Sequence, residues 1–179
     1  MKTNRLFVLA ALILGAMSLR LLSLPPNFTP IAAVALFAGA MFVENRWIGI
    51  IVALTSLVLS DLVIGFHATQ PFVYVAYVLV ALLGRSLMNN KSGELPAPSS
   101  VALSSLAASA VFFLVSNFGV WVEGVLYPRT GSGLVACYFA AVPFFWNTLS
   151  GDMLFTIGLF GTWAILAKTI PQLRVVSGR

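Results

Sequence analysis

Residues 47–66 read WIGIIVALTSLVLSDLVIGF, a run in which Asp61 is the one charged side chain. A helix needs about 20 predominantly apolar residues to cross the hydrocarbon core of a bilayer, so this run has the length and composition of a complete span. Its apolar residues are continuous, whereas the strands of a membrane barrel alternate with a period of two. The run therefore predicts a transmembrane helix.

The rest of the chain has the same character. Of its 179 residues, 60% are hydrophobic and 8% are charged, against roughly 25% charged in an ordinary soluble domain. The net charge of +5 could indicate nucleic-acid binding. The basic residues, however, lie at the ends of apolar segments, which is the pattern of membrane orientation. Composition predicts one all-α transmembrane domain over residues 1–179, with the lipid bilayer and not nucleic acid as its partner.

Polar residues and prolines divide the chain into about six spans. The second is shorter than a normal span, so it would have to tilt little, extend back toward Leu24, or be partly re-entrant. Pro30 would lie in its first turn, where proline is tolerated. The predicted spans are 6–22, 30–43, 47–66, 72–88, 99–122 and 148–168.

The last apolar stretch, Leu134 to Ile170, is too long for one span and contains Pro143. Proline removes a backbone donor and disfavours helical geometry in the residue before it. We therefore expect the stretch to divide between Pro143 and Asn147. It would give a short outer-side helix at about 134–144 before the sixth span.

The distribution of lysine and arginine predicts the orientation. Cytoplasmic loops are enriched in these residues, so we expect both termini in the cytoplasm and, for a bacterial protein, a location in the cytoplasmic membrane. A cleaved signal peptide at residues 1–18 is the alternative, but no small-x-small site precedes a polar start. The outer connections then hold Arg129, with Arg20 at the outer end of the first span, and the inner segments hold Lys2, Arg5, Arg46, Arg85, Lys91, Lys168, Arg174 and Arg179.

Buried polarity collects in the predicted outer half. Arg20, Asp61 and Asp152 fall at similar depth in the first, third and sixth spans. A charge at mid-membrane costs roughly 3 kcal/mol or more, so such groups usually face the bundle interior and pair. One interpretation is a structural ion pair, with Arg20 reaching toward the interface. The other is the polar floor of an outward-facing binding cavity.

Aromatic and hydrogen-bonding residues lie above this floor in the predicted outer loops. Aromatic residues at this level can form the interfacial belt, and together with a few polar groups they also suit a lidded small-molecule pocket. On the second interpretation, the candidate substrate-binding residues are Arg20, Asn27, Asp61, His67, Tyr74, Asn117, Trp121, Glu123, Arg129, Tyr138, Asn147 and Asp152.

No sequence pattern indicates catalysis. The single His67 and single Cys137 show no metal-ligand spacing, and a lone cysteine forms no internal disulfide. The chain lacks a nucleophile elbow, a zinc-protease helix motif and a phosphate loop. We expect no enzyme activity, no bound cofactor and no ATP hydrolysis by this chain alone, although Asp61 and Asp152 could in principle act as acid and base.

Small residues mark possible helix-packing faces. Ala11 and Gly15 lie one turn apart on the first span, and the second span carries several alanines and Gly39. Small residues let helices approach closely in lipid. These faces either pack inside the bundle or, at Ala11 and Gly15, dock another membrane subunit.

Several motifs resemble a known family. PNFTPI at 26–31, followed by an alanine-rich span, and SDLVIGF at 60–66, followed by a fourth span ending at Gly84, are similar to the substrate-binding S components of energy-coupling-factor vitamin transporters. NFGVW at 117–121 and the stretch 134–145 also resemble a family of small uncharacterised bacterial membrane proteins with this layout.

The resemblance implies a six-helix protein with cytoplasmic ends and a substrate pocket under the outer loops. It implies uptake of a vitamin or other micronutrient, driven by a transmembrane coupling subunit with ATPase subunits. Ala11 and Gly15 would correspond to the docking motif, with glycine where alanine is usual. A corrinoid substrate would give Cys137 or His67 a role as cobalt ligand.

Two functions follow as hypotheses. The first is a membrane-embedded component that binds a small solute on the outer side for uptake. The second is a non-transporting structural or assembly protein, whose polar cluster only holds the bundle together.

Overall fold

The computed structural model describes residues 2–42, 46–87 and 95–173, and all regular structure within these ranges is helical. This confirms the predicted all-α class. Short 3-10 turns at Leu19–Leu21 and Pro171–Leu173 follow the first and last helices. The helices are α1 (Lys2–Ser18), α2 (Ile31–Met41), α3 (Arg46–Ile64), α4 (Gln70–Leu87), α5 (Pro98–Glu123) and α6 (Gly131–Thr169).

Some predicted features lie outside the described residues. They are the end of the second span at Val43, the end of the fourth at Met88, and the basic residues Lys91, Arg174 and Arg179.

The exterior of the bundle is apolar. By length and composition, α1, α3, α5 and α6 could each cross a membrane, while α2 and α4 are shorter apolar helices. Phe7, Leu103 and Ile157 are 75%, 64% and 67% exposed on three different helices. Soluble proteins rarely expose large contiguous apolar surfaces. The helices are therefore consistent with an integral membrane protein.

We name the two ends of the bundle by their charged residues. The apical end contains Arg20 and Asp61, and the basal end contains Arg5 and Lys168. α1 begins at the basal end and contacts the turn Pro171–Leu173, so both described chain ends lie there. The apical end corresponds to the predicted outer side.

α2 forms the centre of the bundle. All its residues, Ile31–Met41, are buried, and it contacts the other five helices. Glycines explain how closely α4 approaches it. A Cβ on Gly39 would lie 1.8 Å from the Ala81 carbonyl oxygen, and a Cβ on Gly84 would lie 2.4 Å from the Leu36 carbonyl oxygen. The two backbones are in contact, and glycine is the residue that fits at both positions.

Arg5 supports the basal end of α2. The helix has 11 residues, so it is about 16 Å long, roughly half the hydrocarbon thickness. The Arg5 guanidinium donates from Nη2 to the Met41 carbonyl oxygen at 2.7 Å and lies 5.6 Å from the centre of the Trp163 ring. A cation at a helix C-terminus complements the helix dipole. Arg5 therefore stabilises the end of α2 inside the protein, and it also adds positive charge to the basal end.

The expected division near Pro143 does not occur. α6 is one helix of 39 residues with Pro143 inside it. Proline removes one hydrogen bond, to the carbonyl of Phe139 one turn earlier, whereas a full break would create two helix ends with several unpaired backbone groups. Thr130 begins the helix, since its Oγ1 accepts from the Gly133 N–H at 3.1 Å. The separate short helix at 134–144 is thus the first part of α6.

Candidate functional site

Asp61 lies at the apical end of α3 and is 1% exposed. Arg20 pairs with its Oδ1, and the Gln70 side-chain amide donates to its Oδ2. The Tyr74 hydroxyl also donates to Oδ2, at 2.9 Å. Arg20 in addition donates to the Ser60 hydroxyl at 2.6 Å. The buried charge of Asp61 is therefore both paired and hydrogen-bonded, which is the condition for burying a carboxylate at low cost.

Local structure positions these donors. Gln70 and Tyr74 are four residues apart in the first turns of α4, so they lie on one face of the helix. The His67 backbone N–H donates to the Gln70 amide oxygen at 3.0 Å, which orients the amide nitrogen toward Asp61. The cluster joins the end of α1 to α3 and α4.

Asp152 has a different environment. It belongs to α6, and its side chain lies at the contact with α5. It is 2% exposed, and the Ser109 hydroxyl lies 2.7 Å from its Oδ2. Ser109 also lies 3.1 Å from the Ser105 carbonyl oxygen, and the hydroxyls of Ser105 and Thr156 are 3.3 Å apart. In the described part of the chain, no basic side chain contacts Asp152. Arg20 therefore pairs with Asp61 and not with Asp152.

Regular spacing builds the Asp152 cluster. Ser105 and Ser109 are one turn apart on α5, and Asp152 and Thr156 are one turn apart on α6. Antiparallel packing of the two helices then brings the polar faces together. Thr148, one turn before Asp152 on α6, is also buried, but its hydroxyl donates to the Phe144 carbonyl oxygen at 3.2 Å.

Four of the predicted residues hold the apical hairpin between α5 and α6. The Trp121 indole N–H lies 3.2 Å from the Pro128 carbonyl oxygen, and Arg129 donates to the Glu123 carbonyl oxygen at 3.1 Å. The Tyr138 hydroxyl donates to the Leu114 carbonyl oxygen at 2.6 Å. These contacts tie the hairpin to its own backbone.

Asn117 and Cys137 contact each other in the same hairpin. The Asn117 side chain donates to the carbonyl oxygen of Phe113 at 2.8 Å, and the buried Cys137 thiol donates to the Asn117 carbonyl oxygen at 3.4 Å. The exposed His67 ring nitrogen Nδ1 lies 2.9 Å from the Thr69 hydroxyl. Among the described residues, no group of three His, Cys, Asp or Glu side chains could hold a metal ion.

Asn147 fastens the first apical loop to α6. Its amide donates to the Pro26 carbonyl oxygen at 3.0 Å, and Gly151 lies against Phe28, with its added Cβ 3.3 Å from the Phe28 Cα. Asn27, exposed at the tip of this loop, has a φ of 63°, in the left-handed region that asparagine tolerates. The predicted site residues thus fall into separate groups, and the Asp152 group lies near the middle of α6, not at its apical end.

The sequence did not single out Gln70, Ser109 or Arg5 as functional residues. Two sequence patterns could have indicated Gln70 and Ser109. Gln70 and Tyr74 have helical spacing, and Ser105 and Ser109 form a polar stripe in an otherwise apolar span. Arg5 was counted only as a charge at the membrane surface.

An open groove runs between α1 and α6 toward the surface. Its volume is about 390 Å³, and Ala11 and Gly15 line it from α1 while Gly158 and Thr162 line it from α6. A Cβ on Gly15 or Gly158 would meet no atom within 4 Å. These glycines differ from Gly39, whose missing side chain is required by α4.

A larger cavity of about 530 Å³ lies between α5 and α6 in the basal half. Its lining is mainly apolar, with Lys168 at the basal end. Ser105 and Thr156 also line it, so the cavity reaches the hydroxyl pair one turn from Asp152.

Comparison with known proteins gives a family without a described activity. No curated protein and no solved structure matches the chain. A family model described as a family of unknown function, DUF6580, matches residues 1–173. The chain belongs to this family of unknown function, DUF6580.

Proposed function

We propose that the chain is a membrane-embedded, non-catalytic component of an uptake system. It binds a vitamin or a similar small micronutrient at the apical end. It docks on a transmembrane coupling subunit that is linked to ATPase subunits. The observation that carries the proposal is the open groove between α1 and α6.

The groove supports docking because its small residues have no packing role inside the bundle. Gly39 and Gly84 are needed where α2 and α4 touch, but a side chain at Gly15 or Gly158 would enter empty space. In lipid, association of helices depends on close packing at small residues. Ala11 and Gly15 on one wall, facing Gly158 on the other, would admit a helix of a partner subunit.

Apical chemistry supports solute binding on that side. Asn27, His67 and Arg129 expose hydrogen-bonding groups on the apical loops. Phe118 and Trp121 pack against each other near the apical end of α5, with ring centres 5.5 Å apart. Binding sites for small organic molecules combine aromatic walls with a few polar groups.

A non-transporting assembly or scaffold protein is the second candidate. The Asp61 cluster favours it, because the carboxylate already has Arg20, Gln70 and Tyr74 as partners. A substrate would therefore have to displace one of these donors to bind Asp61. The groove would serve a partner in either case, so the two candidates differ in solute binding.

The test combines solute binding with transport. A panel of radiolabelled water-soluble vitamins is offered to cells producing the full chain, and the purified chain is titrated with the same panel. We expect one member to bind and to accumulate. Gly15→Leu should bind it unchanged but accumulate it about tenfold less or worse, because a misfitted side chain costs about 1–3 kcal/mol at a packed interface.

Ala110→Leu is the matched control, since Ala110 is exposed on α5 outside the groove. It should leave both binding and accumulation unchanged. The uptake function is wrong if no member of the panel binds, and docking in the groove is wrong if Gly15→Leu accumulates solute as the unaltered chain does. Loss of an assembled complex in Gly15→Leu without any solute binding would favour the second candidate.

A further inference from the structure

Asp152 is a buried acid whose charge has no described counter-charge. Asp61, on α3, is balanced by Arg20 and accepts from two further donors. Asp152 is as deeply buried but has one hydroxyl partner, Ser109. An isolated ionised carboxylate is very costly in an apolar interior, and one hydroxyl offsets only part of that cost. The charge has to be neutralised by something that binds there.

Among the described side chains, the elements packed against Asp152 supply no charge for this purpose. α2 has no titratable residue, and the one ionisable residue of α5 is Glu123 at its apical end. On α6, Lys168 is 16 residues away, about 24 Å along the helix. On α1, Arg5 is occupied at the basal end by Met41 and Trp163. The tyrosine and cysteine of α6 lie toward its apical end.

The hydrogen bonds at Ser109 fit two protonation states. Its hydroxyl has one proton but lies near two acceptors, Asp152 Oδ2 at 2.7 Å and the Ser105 carbonyl oxygen at 3.1 Å. When Asp152 is ionised, Ser109 donates to it. When Asp152 is protonated, it donates to Ser109, and Ser109 donates to Ser105. The same heavy-atom positions serve both states, so a proton can bind without rearrangement.

The basal cavity offers a route. Ser105 and Thr156 line the cavity of about 530 Å³ between α5 and α6, one turn from Asp152. A cavity of that size has room for several water molecules, and the two hydroxyls are the polar partners that its mainly apolar lining offers them.

We propose that Asp152 is an intramembrane proton-binding site, loaded and unloaded through the basal cavity between α5 and α6. Asp152 lies one turn from this lining, so a hydronium ion has to pass beyond the cavity to reach it; there it gives up its proton as one O–H bond breaks and another forms on Asp152, leaving a water molecule. No electrons are transferred. A metal cation fits less well, since hard cations need several converging oxygen ligands and the described contacts bring one hydroxyl to the carboxylate.

Infrared spectroscopy of the full chain in liposomes tests this directly. The C=O stretching band of a protonated carboxyl group is followed while the pH is raised in steps. We expect a band that decreases with rising pH and is missing in Asp152→Asn. Glu123→Gln is the matched control, because this half-exposed carboxyl lies at the apical end. It should leave the band unchanged.

Two further variants keep the proposal falsifiable if Asp152→Asn does not fold. Ser109→Ala removes the donor to the ionised carboxylate, so its titration midpoint should rise by roughly one to two pH units. Gly161→Leu fills the cavity, since a Cβ at Gly161 meets no atom within 4 Å. Deuterium exchange of the carboxyl proton should then be slower than in the unaltered chain.

Three outcomes would overturn the proposal. The first is a spectrum in which Asp152→Asn and Ser109→Ala change nothing. The second is a band that stays constant over the whole pH range in which the chain remains folded. The third is a carboxylate band that responds to Na⁺ at fixed pH but not to pH. None depends on vitamin binding or on a partner, so failure here and failure of the uptake proposal are separate results.

Discussion

Gly39→Ala tests the contact between α2 and α4. The new Cβ would lie 1.8 Å from the Ala81 carbonyl oxygen, and ordinary contact begins at 3.4 Å. Because the obstacle is backbone, no side-chain rotation relieves it, and α4 must withdraw by more than 1 Å. A gap of 0.5–1 Å already forfeits about a quarter to a half of the dispersion attraction. Overpacking costs about 1–3 kcal/mol, so we expect the free energy of unfolding to fall by about 3 kcal/mol.

The assay is reversible unfolding of the purified chain in bicelles, with Gly15→Ala and Gly158→Ala as controls. Both control positions have open space around the added Cβ, so their free energies of unfolding should stay the same or rise by up to about 1 kcal/mol, because alanine favours the helix over glycine. Gly39→Ala with the stability of the unaltered chain would refute the close contact. Equal losses in all three variants would show that the reasoning from space around each glycine is wrong.

Three further predictions concern charged residues and a proline, each measured by the same unfolding assay. Asp61→Asn should lower the free energy of unfolding by about 3–5 kcal/mol, because Arg20 becomes a buried, unbalanced charge. Adding Arg20→Met to the same chain should recover most of this loss. A double variant whose loss is the sum of the two single losses would contradict the pairing. Arg5→Gln should lower the free energy of unfolding by about 1–3 kcal/mol, because the Met41 carbonyl loses a charged donor. Arg5→Lys should recover only part of this loss, because the planar guanidinium is lost. Full recovery would show that its contact with the Trp163 ring does not stabilise the protein. Pro143→Ala should keep or raise stability by up to about 1 kcal/mol, since it restores a backbone donor in a continuous helix; a clear loss would mean that the helix needs the proline.

Helix positions followed from sequence because continuous apolar runs are a local property. The runs around Asp61 and after Pro98 gave α3 and α5 nearly to their ends. The course of α6 through Pro143 did not follow, because proline in a helix interior usually kinks or breaks the helix. Here the alternative to one lost hydrogen bond is the several that two new helix ends would leave unpaired, and the helix continues.

The buried polar residues were predictable as a class but not in their pairing. Charges in apolar spans indicated that Arg20, Asp61 and Asp152 would be buried. Whether Arg20 pairs with Asp61 or with Asp152 depends on the packing of α1 against α3. No residue spacing in the sequence encodes this packing. Gln70 is similar, since its role comes from its place above the end of α3.

The unbroken α6 has a mechanical consequence. With 39 residues, it measures about 58 Å, so a small tilt at its basal end becomes a large displacement at its apical end. A tilt of about 10° around its basal end would carry its apical end sideways by about 10 Å, as the rise per residue dictates. The first apical loop would travel with it through Asn147. A subunit bound in the groove beside Gly158 would therefore contact the same helix that forms one side of the apical hairpin.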